Sequence, residues 1–222
     1  MRKQALVTGE YYHIYNRGVD KRDIFTDKKD LTRFIESILA FNQIETITSL
    51  SNLRKNNQIA PKALSGRPLT AIVVHCLNPN HFHFVLKQLV DGGIAKFMQK
   101  LQAGYTSYFN IKNSRTGSLL QGTFRSQHMG SENYFNKILG YANKNYQIHS
   151  IPKGKMQFVV ASDSEYESGN FKIVSKEEGK RILEIFGGNK NFKKHCDEIV
   201  SIIRAQRGKL SLLEEENVPD SA

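Results

Sequence analysis

The chain has 222 residues, a hydrophobic fraction of 39% and 13 Phe, which suit one domain with a sizeable core. Its two cysteines, Cys76 and Cys196, lie far apart, so the sequence excludes a disulfide framework and favours a reduced, cytoplasmic setting. No apolar run is long enough for a signal peptide or a transmembrane helix, so we expect no membrane partner.

The net charge of +11 is concentrated in one part of the chain. Residues 61–160 contain twelve Lys or Arg and only two acids, which gives +10. The two flanks together carry twenty basic and nineteen acidic residues and are nearly neutral. This basic window indicates a phosphate-rich partner, and a plain solvated surface is the alternative.

The predicted elements alternate between strands and helices over the first 150 residues. Strands are recognised by β-branched runs and turn residues, and helices by apolar side chains at helical spacing. In chain order they are a strand (11–19), a helix (30–41), a polar loop (44–69), strands (70–77 and 81–88), a helix (93–109), a strand within 118–129 and a helix (131–149). This order predicts an α+β fold with a ferredoxin-like (RRM-like) βαββαβ core and one added catalytic helix.

A change in composition divides the chain near residue 150. We predict a catalytic domain at 1–150, in which 44–69 is a loop insertion of unusual length. The range 151–222 is more acidic and predicts a mostly helical tail, with helices at 176–186 and 192–207. From Glu214 onward the tail is predicted to be disordered.

The most informative motif is the predicted strand that begins His81-Phe82-His83-Phe84. Because side chains alternate along a strand, His81 and His83 point to one face and the two phenylalanines to the other, toward a core. Two adjacent imidazoles on a rigid strand suit a divalent metal ion. The alternative is a pair of half-exposed polar histidines without a ligand.

A tyrosine on the last predicted helix is placed to act beside such a metal. Of Tyr134, Tyr141 and Tyr146, only Tyr141 is followed four residues later, on the same helical face, by a side chain able to bind metal, Asn145. A phenol is a weak nucleophile at neutral pH unless a neighbouring cation assists it. The alternative is that Tyr141 packs in the core and Asn145 is a surface amide.

Four sequence blocks in this order resemble the single-tyrosine HUH transposases, which include the IS200-like and REP-associated tyrosine transposases. The blocks are YHIYNRGV at 12–19, LNPNHFHFVLKQ at 77–88, QGTFRS at 121–126 and LGYANKN at 139–145. The resemblance covers about residues 11–149. The long tail fits the REP-associated group better than the shorter IS200-like one.

The resemblance implies roles for particular residues. His81, His83 and Asn145 would bind the divalent ion, Mg²⁺ or Mn²⁺, and Tyr141 would be the nucleophile. Beyond the resemblance, the DNA-binding candidates are Arg17 and Arg125, for which plain surface roles are the alternative, and Lys137 and Lys144, which flank Tyr141 on its predicted helix. His13 either supports the site or is structural. The chain departs from the family pattern at two positions, where Gly140 replaces a usual Arg and Tyr146 replaces a Pro.

By resemblance, the protein is a metal-dependent endonuclease and strand transferase of single-stranded DNA that acts on hairpin-containing ends. Tyr141 would attack the scissile phosphate, form a 5′-phosphotyrosine and release a 3′-hydroxyl, with no small-molecule cofactor. A homodimer is expected. One alternative is a domesticated regulator that binds hairpin DNA or RNA on the same fold without transposition. A replication initiator or relaxase of the same chemistry is a third reading.

Overall fold

The computed structural model describes residues 5–45, 50, 66–149 and 151–216, with side chains as far as Arg207. Five strands and seven α-helices carry the fold in the described ranges. The strands are β1 (Tyr11–Arg17), β2 (Thr70–Asn78), β3 (His81–Gln88), β4 (Arg125–His128) and β5 (Val160–Ala161). The helices are α1 (Lys28–Phe41), α2 (Gly93–Lys112), α3 (Glu132–Asn143), α4 (Asn145–Ile148), α5 (Asp163–Ser168), α6 (Lys176–Ile185) and α7 (Asn189–Glu216).

The strands form one sheet in the order β4-β1-β3-β2-β5, and every neighbouring pair is antiparallel. The α+β class predicted from sequence is therefore confirmed. β3 lies at the centre, paired with β1 on one side and β2 on the other. Its two histidines are thus held on the most enclosed strand of the sheet.

One face of the sheet packs against α1 and α2. Phe82 and Phe84 of β3 join Ile14 of β1 in this core, and Phe34 of α1 and Leu101 of α2 cover them. The alternating pattern of β3 explains the arrangement, because the residues on either side of each phenylalanine point to the opposite face. The fold thereby leaves the His81 and His83 side facing away from this core.

The opposite face packs against the helices that follow β4. Val74 and Val85 of the sheet contact a cluster that includes Leu139 of α3, Ile182 of α6 and Phe192 of α7. β5 pairs with β2 through Cys76 and Leu77, so the range 151–216 also contributes a strand to the sheet. The described residues before and after residue 150 therefore contribute to one sheet and to the core on this face.

Two details of the predicted elements differ in the structure. The helix expected at 131–149 is divided at Lys144, which has φ −117° and ψ 30°, into α3 and α4. The last helix continues to Glu216, beyond the predicted end at Arg207. The predicted loop at 44–69 falls mostly outside the described residues.

None of the described helices is both long enough and apolar enough to cross a membrane.

Candidate active site

The sheet places polar side chains in two rows that run across neighbouring strands. Tyr15 of β1 lies opposite His83 of β3 and, on its other side, opposite Arg125 of β4. In the second row, Arg17 of β1 lies opposite His81 of β3, and His81 lies opposite Asn78 of β2. Each histidine therefore has a β1 side chain beside it on the same face, because cross-strand partners share a face.

His83 is held by a second buried histidine. The Nδ1 atom of His83 lies 2.9 Å from Nε2 of His13, and the two rings stack with centroids 5.1 Å apart. If His83 donates through Nδ1 and His13 accepts, the lone pair on Nε2 of His83 is free for a ligand. His13 thus takes the place of the hydrogen-bond partner that commonly orients a metal-binding histidine.

His81 faces more oxygen acceptors than a neutral imidazole can satisfy. Its Nδ1 lies 2.6 Å from Oδ1 of Asn80, and its Nε2 lies 2.9 Å from Oδ1 of Asn145. Both amides have an independent contact that fixes their orientation. Asn80 donates through Nδ2 to the Lys21 carbonyl at 3.1 Å, and Asn145 accepts through Oδ1 from Nδ2 of Asn78 at 3.0 Å.

A neutral imidazole carries one N–H, so with the proton on Nδ1 toward Asn80 the Nε2 atom of His81 is an acceptor, and Nδ2 of Asn78 lies 2.9 Å from it. The same Asn78 amide donates to Oδ1 of Asn145, so it holds Nε2 of His81 and Oδ1 of Asn145 side by side, 2.9 Å apart. An imidazole nitrogen and an amide oxygen are both ligand types that divalent ions accept. The buried Nδ2 of Asn145 also has no hydrogen-bond partner.

The helical residues predicted for the site lie against the sheet histidines. The ring of Tyr141, on α3, meets that of His83 edge to face at 5.4 Å and that of His13 at 5.8 Å. Asn145 is the first residue of α4 and is fully buried. The structure therefore brings together His81, His83, Tyr141 and Asn145, although the last two lie on separate helices.

His149 is a site residue that the sequence reasoning missed. Its ring meets that of His81 at 4.9 Å, and the ligand atoms of His81, His83 and His149 all lie within 4.8 Å of one another. More of its surface is accessible to solvent than that of His83. The four-residue interval from Asn145 to His149 was visible in the sequence, but it did not by itself point to the sheet histidines.

These side chains open into a cleft of about 530 Å³. Arg17 and Arg125 are exposed at its wall, and the described residues give neither of them a carboxylate partner. The cleft is lined by Tyr15, Asn16, Arg17, Asp23, Pro79, Asn80, His81, His83, Gln121, Arg125, Tyr141, His149, Ile151, Pro152 and Lys155. Free positive charge therefore lies beside the histidines.

The two lysines predicted to bind DNA do not line this cleft. Lys137 is exposed on α3. Lys144 is buried and paired with Asp197 of α7, so its charge is already balanced. Sequence spacing placed both lysines on the Tyr141 helix, but it did not show that α7 would cover the Lys144 side. The proposed binding surface accordingly omits Lys144.

Several other cations of the basic window are neutralised by acids from the flanks. Lys87 pairs with Glu178 at 2.8 Å, and Lys155 pairs with Asp23 at 2.6 Å. Lys112 forms bonds to Asp27 at 2.8 Å and Asp30 at 2.6 Å. The net charge of the window thus overstates the number of its unpaired cations. The unpaired arginines at the cleft are better evidence for a phosphate-binding surface than the total charge.

The imidazoles of the site are kept neutral by burial. Burial lowers the pKa of His13 to about 4 and that of His149 to about 4. Burial, followed by the neighbouring imidazoles, holds the pKa of His83 well below its ordinary value. Burial also lowers the pKa of His81, against the opposing effect of Asn145. Neutral imidazoles are the form that binds metal ions.

Burial raises the pKa of the Tyr141 phenol, while the Asn145 side chain and the positive charge of Arg207 act in the opposite direction. The phenol is therefore protonated at neutral pH in the absence of a further cation. An attack by Tyr141 needs either a base to take the proton or a positive charge that favours the phenolate. This requirement links the tyrosine to the cation site beside it.

The donor set fits a divalent metal ion. The imidazoles of His81, His83 and His149 and the amide oxygen of Asn145 are nitrogen and oxygen ligands of the kind that Mn²⁺ and similar ions accept. The closeness of Nε2 of His81 to Oδ1 of Asn145 and the orientation of His83 by His13 support the same conclusion.

No family model matches this chain, and no curated protein matches it significantly. Among solved structures, a REP-associated tyrosine transposase bound to a REP hairpin is similar, with a TM-score of 0.47, 12% identity, and coverage of 79% of this chain and 90% of that chain. A tRNA(His) guanylyltransferase from Saccharomyces cerevisiae has a TM-score of 0.36 and 10% identity, with coverage of 92% and 82%. Both likenesses are distant, and the function is argued from the site itself.

Proposed function

We propose that the protein is a metal-dependent tyrosine endonuclease and strand transferase that acts on single-stranded DNA with hairpin ends. The observation that carries this proposal is that His81, His83 and Tyr141 line one cleft and that the buried Asn145 lies against His81. These side chains come from one strand and two helices that are distant in sequence. A packing role for the tyrosine alone would not require three neutral metal-binding groups beside it.

The metal ligands in this proposal are His81, His83 and Asn145, and His149 is added to them. A bound Mg²⁺ or Mn²⁺ ion would act as a Lewis acid on the phosphate oxygen. The protein's own part is to hold neutral imidazoles in place and to exclude competing protons. His13 does this for His83 through the bond between their ring nitrogens. The imidazole-rich set favours Mn²⁺ over Mg²⁺, because Mg²⁺ prefers oxygen ligands.

Tyr141 is the proposed nucleophile. Its oxygen would attack phosphorus, and the bond from phosphorus to the 3′-oxygen would break. The DNA would be left with a 5′-phosphotyrosine link, and the departing 3′-oxygen would take a proton to become a hydroxyl. A 3′-hydroxyl of a second strand could reverse the step, so no nucleotide cofactor is needed. The ring of Tyr141 meets those of both His13 and His83 edge to face.

The substrate surface in this proposal follows the two cross-strand rows. Arg17 beside His81, and Arg125 beyond Tyr15, would hold phosphates on either side of the reacting one. Tyr15 is half-buried, and its ring is stacked near those of His13 and His83. A flat ring between a cation and a metal site offers a surface on which a base can stack.

The ferredoxin-like arrangement expected from the sequence belongs to the same proposal. The order β4-β1-β3-β2, with helices after β1 and β3 packed on one face, supports it. The homodimer expected from the resemblance stays a prediction.

A denaturing gel for covalent protein–DNA adducts tests the proposed function. Wild type and Tyr141→Phe are mixed with labelled single strands from the flanks of the gene, with Mn²⁺ or with EDTA. We expect an adduct with wild type and Mn²⁺ only. The matched control is Tyr134→Phe, which removes a phenol from the same helix and should leave the adduct unchanged.

Two results would overturn the proposal. Adducts with Tyr141→Phe would assign the attack to another group. Tight hairpin binding without any adduct, under all metal conditions, would favour the non-catalytic regulator of hairpin DNA or RNA instead.

A further inference from the structure

The helix α4, which begins with Asn145 and is followed directly by His149, is too short to be stable alone. It has four residues, and helices of this length are not stable in water without tertiary contacts. The carbonyl groups at the end of a helix also lack partners inside it. Two ligand candidates therefore depend on whatever binds the carbonyl end of α4.

Two arginines of the C-terminal helix α7 satisfy these carbonyls. Arg204 donates from Nε at 3.1 Å and from Nη2 at 2.5 Å to the Gln147 carbonyl. Arg207 donates from Nη1 to the Ile148 carbonyl at 3.3 Å. A positive group at a helix C-terminus is favourable both as a hydrogen-bond donor and toward the helix dipole.

The rest of α7 is docked on the same pair of helices. Asn143 donates from Nδ2 to Cys196 Sγ at 3.5 Å, and Lys144 pairs with Asp197. A Cβ at Gly140 would lie 2.9 Å from the Cβ of Ile199, so α7 approaches α3 where only glycine fits. Tyr146 donates to Oδ2 of Asp163 on α5 at 2.7 Å.

Gly140 and Tyr146 are the two positions at which the chain departs from the transposase pattern. Both contact the segment that follows residue 151, and Gly140 does so through α7 itself. The departures are therefore explained by the docking of this segment on the helices of the site.

We propose that Arg204 and Arg207 are positioning residues, which clamp the carbonyl end of α4 so that Asn145 and His149 face the sheet histidines. The helix α7 then contributes to the site by holding two of its ligand candidates in position. This inference rests on the proposed metal function, but the clamp itself is measurable without metal or DNA. Neither arginine lines the cleft.

The test uses the full chain with Arg204→Gln and Arg207→Gln combined. The first readout is hydrogen exchange of the Gln147 and His149 amides, which are bonded to the carbonyls of Lys144 and Asn145. The second is Mn²⁺ affinity. We expect hydrogen exchange at both amides to accelerate. We expect the affinity for Mn²⁺ to fall about tenfold. This is the low end of the range for residues that support metal ligands, because both arginines are exposed.

The matched control is Lys194→Gln, which removes an exposed charge from the same helix. It should change neither readout. If the double variant is unfolded, the pair Arg204→Lys and Arg207→Lys replaces it, since lysine keeps one donor at each carbonyl and should retain most of the affinity. The clamp is wrong if the glutamine variant, with an unchanged unfolding midpoint, exchanges and binds Mn²⁺ like wild type.

The two proposals fail in different ways. If wild type binds no Mn²⁺ while the variant accelerates exchange, the metal function is wrong and the clamp stands as a purely structural device. If wild type binds Mn²⁺ and the variant changes neither readout, the clamp is wrong and the metal function stands.

Discussion

The candidate site has two halves that are held in different ways. The sheet half consists of His81 and His83 on β3, supported by His13 on β1, and the backbone ladder fixes the direction of each side chain. The helix half, on α3 and α4, carries Tyr141 and the further ligand candidates. Its position depends on side-chain bonds from α7, more than 50 residues along the chain.

The side-chain directions in the sheet half are determined by local strand geometry, whereas the position of the helix half is determined by packing against distant parts of the chain. A strand on a buried sheet has little freedom, because a slip by one residue would turn every side chain to the other face. A four-residue helix has no such constraint and adopts its place only when its neighbours are present. Changes in the sheet half should therefore act on the metal directly, and changes in the helix half should act through positioning.

The largest effect is expected from the sheet ligands. The double variant His81→Ala with His83→Ala should lose more than about 100-fold in Mn²⁺ affinity, because ligand loss exceeds the 10–100-fold cost of losing an outer partner. Isothermal titration with Mn²⁺ measures this. His128→Ala is the control, since that histidine pairs with Glu10 away from the cleft. Retained affinity in the double variant would show that the sheet half does not bind the metal.

A smaller effect is expected when the support of His83 is removed. His13→Phe keeps an aromatic ring beside Tyr15 and Tyr141 but removes the acceptor for His83. Mn²⁺ affinity should fall about 10–100-fold without loss of the fold. A fall of less than threefold would mean that the strand alone orients His83, so that the sheet half needs no partner.

The sheet half was predicted well from the sequence because the pattern that determines it lies within a few neighbouring residues. The period of two along residues 81–84 was enough to separate two histidines from two phenylalanines, and β3 has the bounds expected. The helix half was predicted less well, because the break at Lys144 and the contribution of His149 arise from contacts with α7 and the sheet. No periodicity within residues 131–149 contains those contacts.

The docking of α7 on α3 sets a further expected effect. Gly140→Ala places a methyl group 2.9 Å from Ile199, and overpacking of this kind costs about 1–3 kcal/mol. The gain in helix propensity, about 0.5–1 kcal/mol, offsets only part of it. Urea unfolding should show a lower midpoint. Gly154→Ala is the control, because a Cβ there meets nothing within 4 Å. An unchanged midpoint for Gly140→Ala would show that α7 is loosely docked.

The last expected effect concerns the pH dependence of the metal-free protein. Burial lowers the pKa of His13 to about 4, whereas a histidine in the unfolded chain titrates near about 6.5. Between these values the unfolded chain binds a proton that the folded protein does not, so the free energy of unfolding falls as pH decreases from about 6.5 to about 4, by at most about 1.4 kcal/mol per pH unit. Above about 6.5 this contribution is complete.

His13→Phe lacks this imidazole, so its free energy of unfolding should fall less steeply across that pH range. Urea unfolding in EDTA at half-unit pH steps measures both curves, and EDTA removes any contribution from bound metal. Parallel curves would mean that the pKa of His13 is the same in the folded and the unfolded protein. The imidazole would then not be buried against His83, and the sheet half would lack the orientation that the proposed metal site requires.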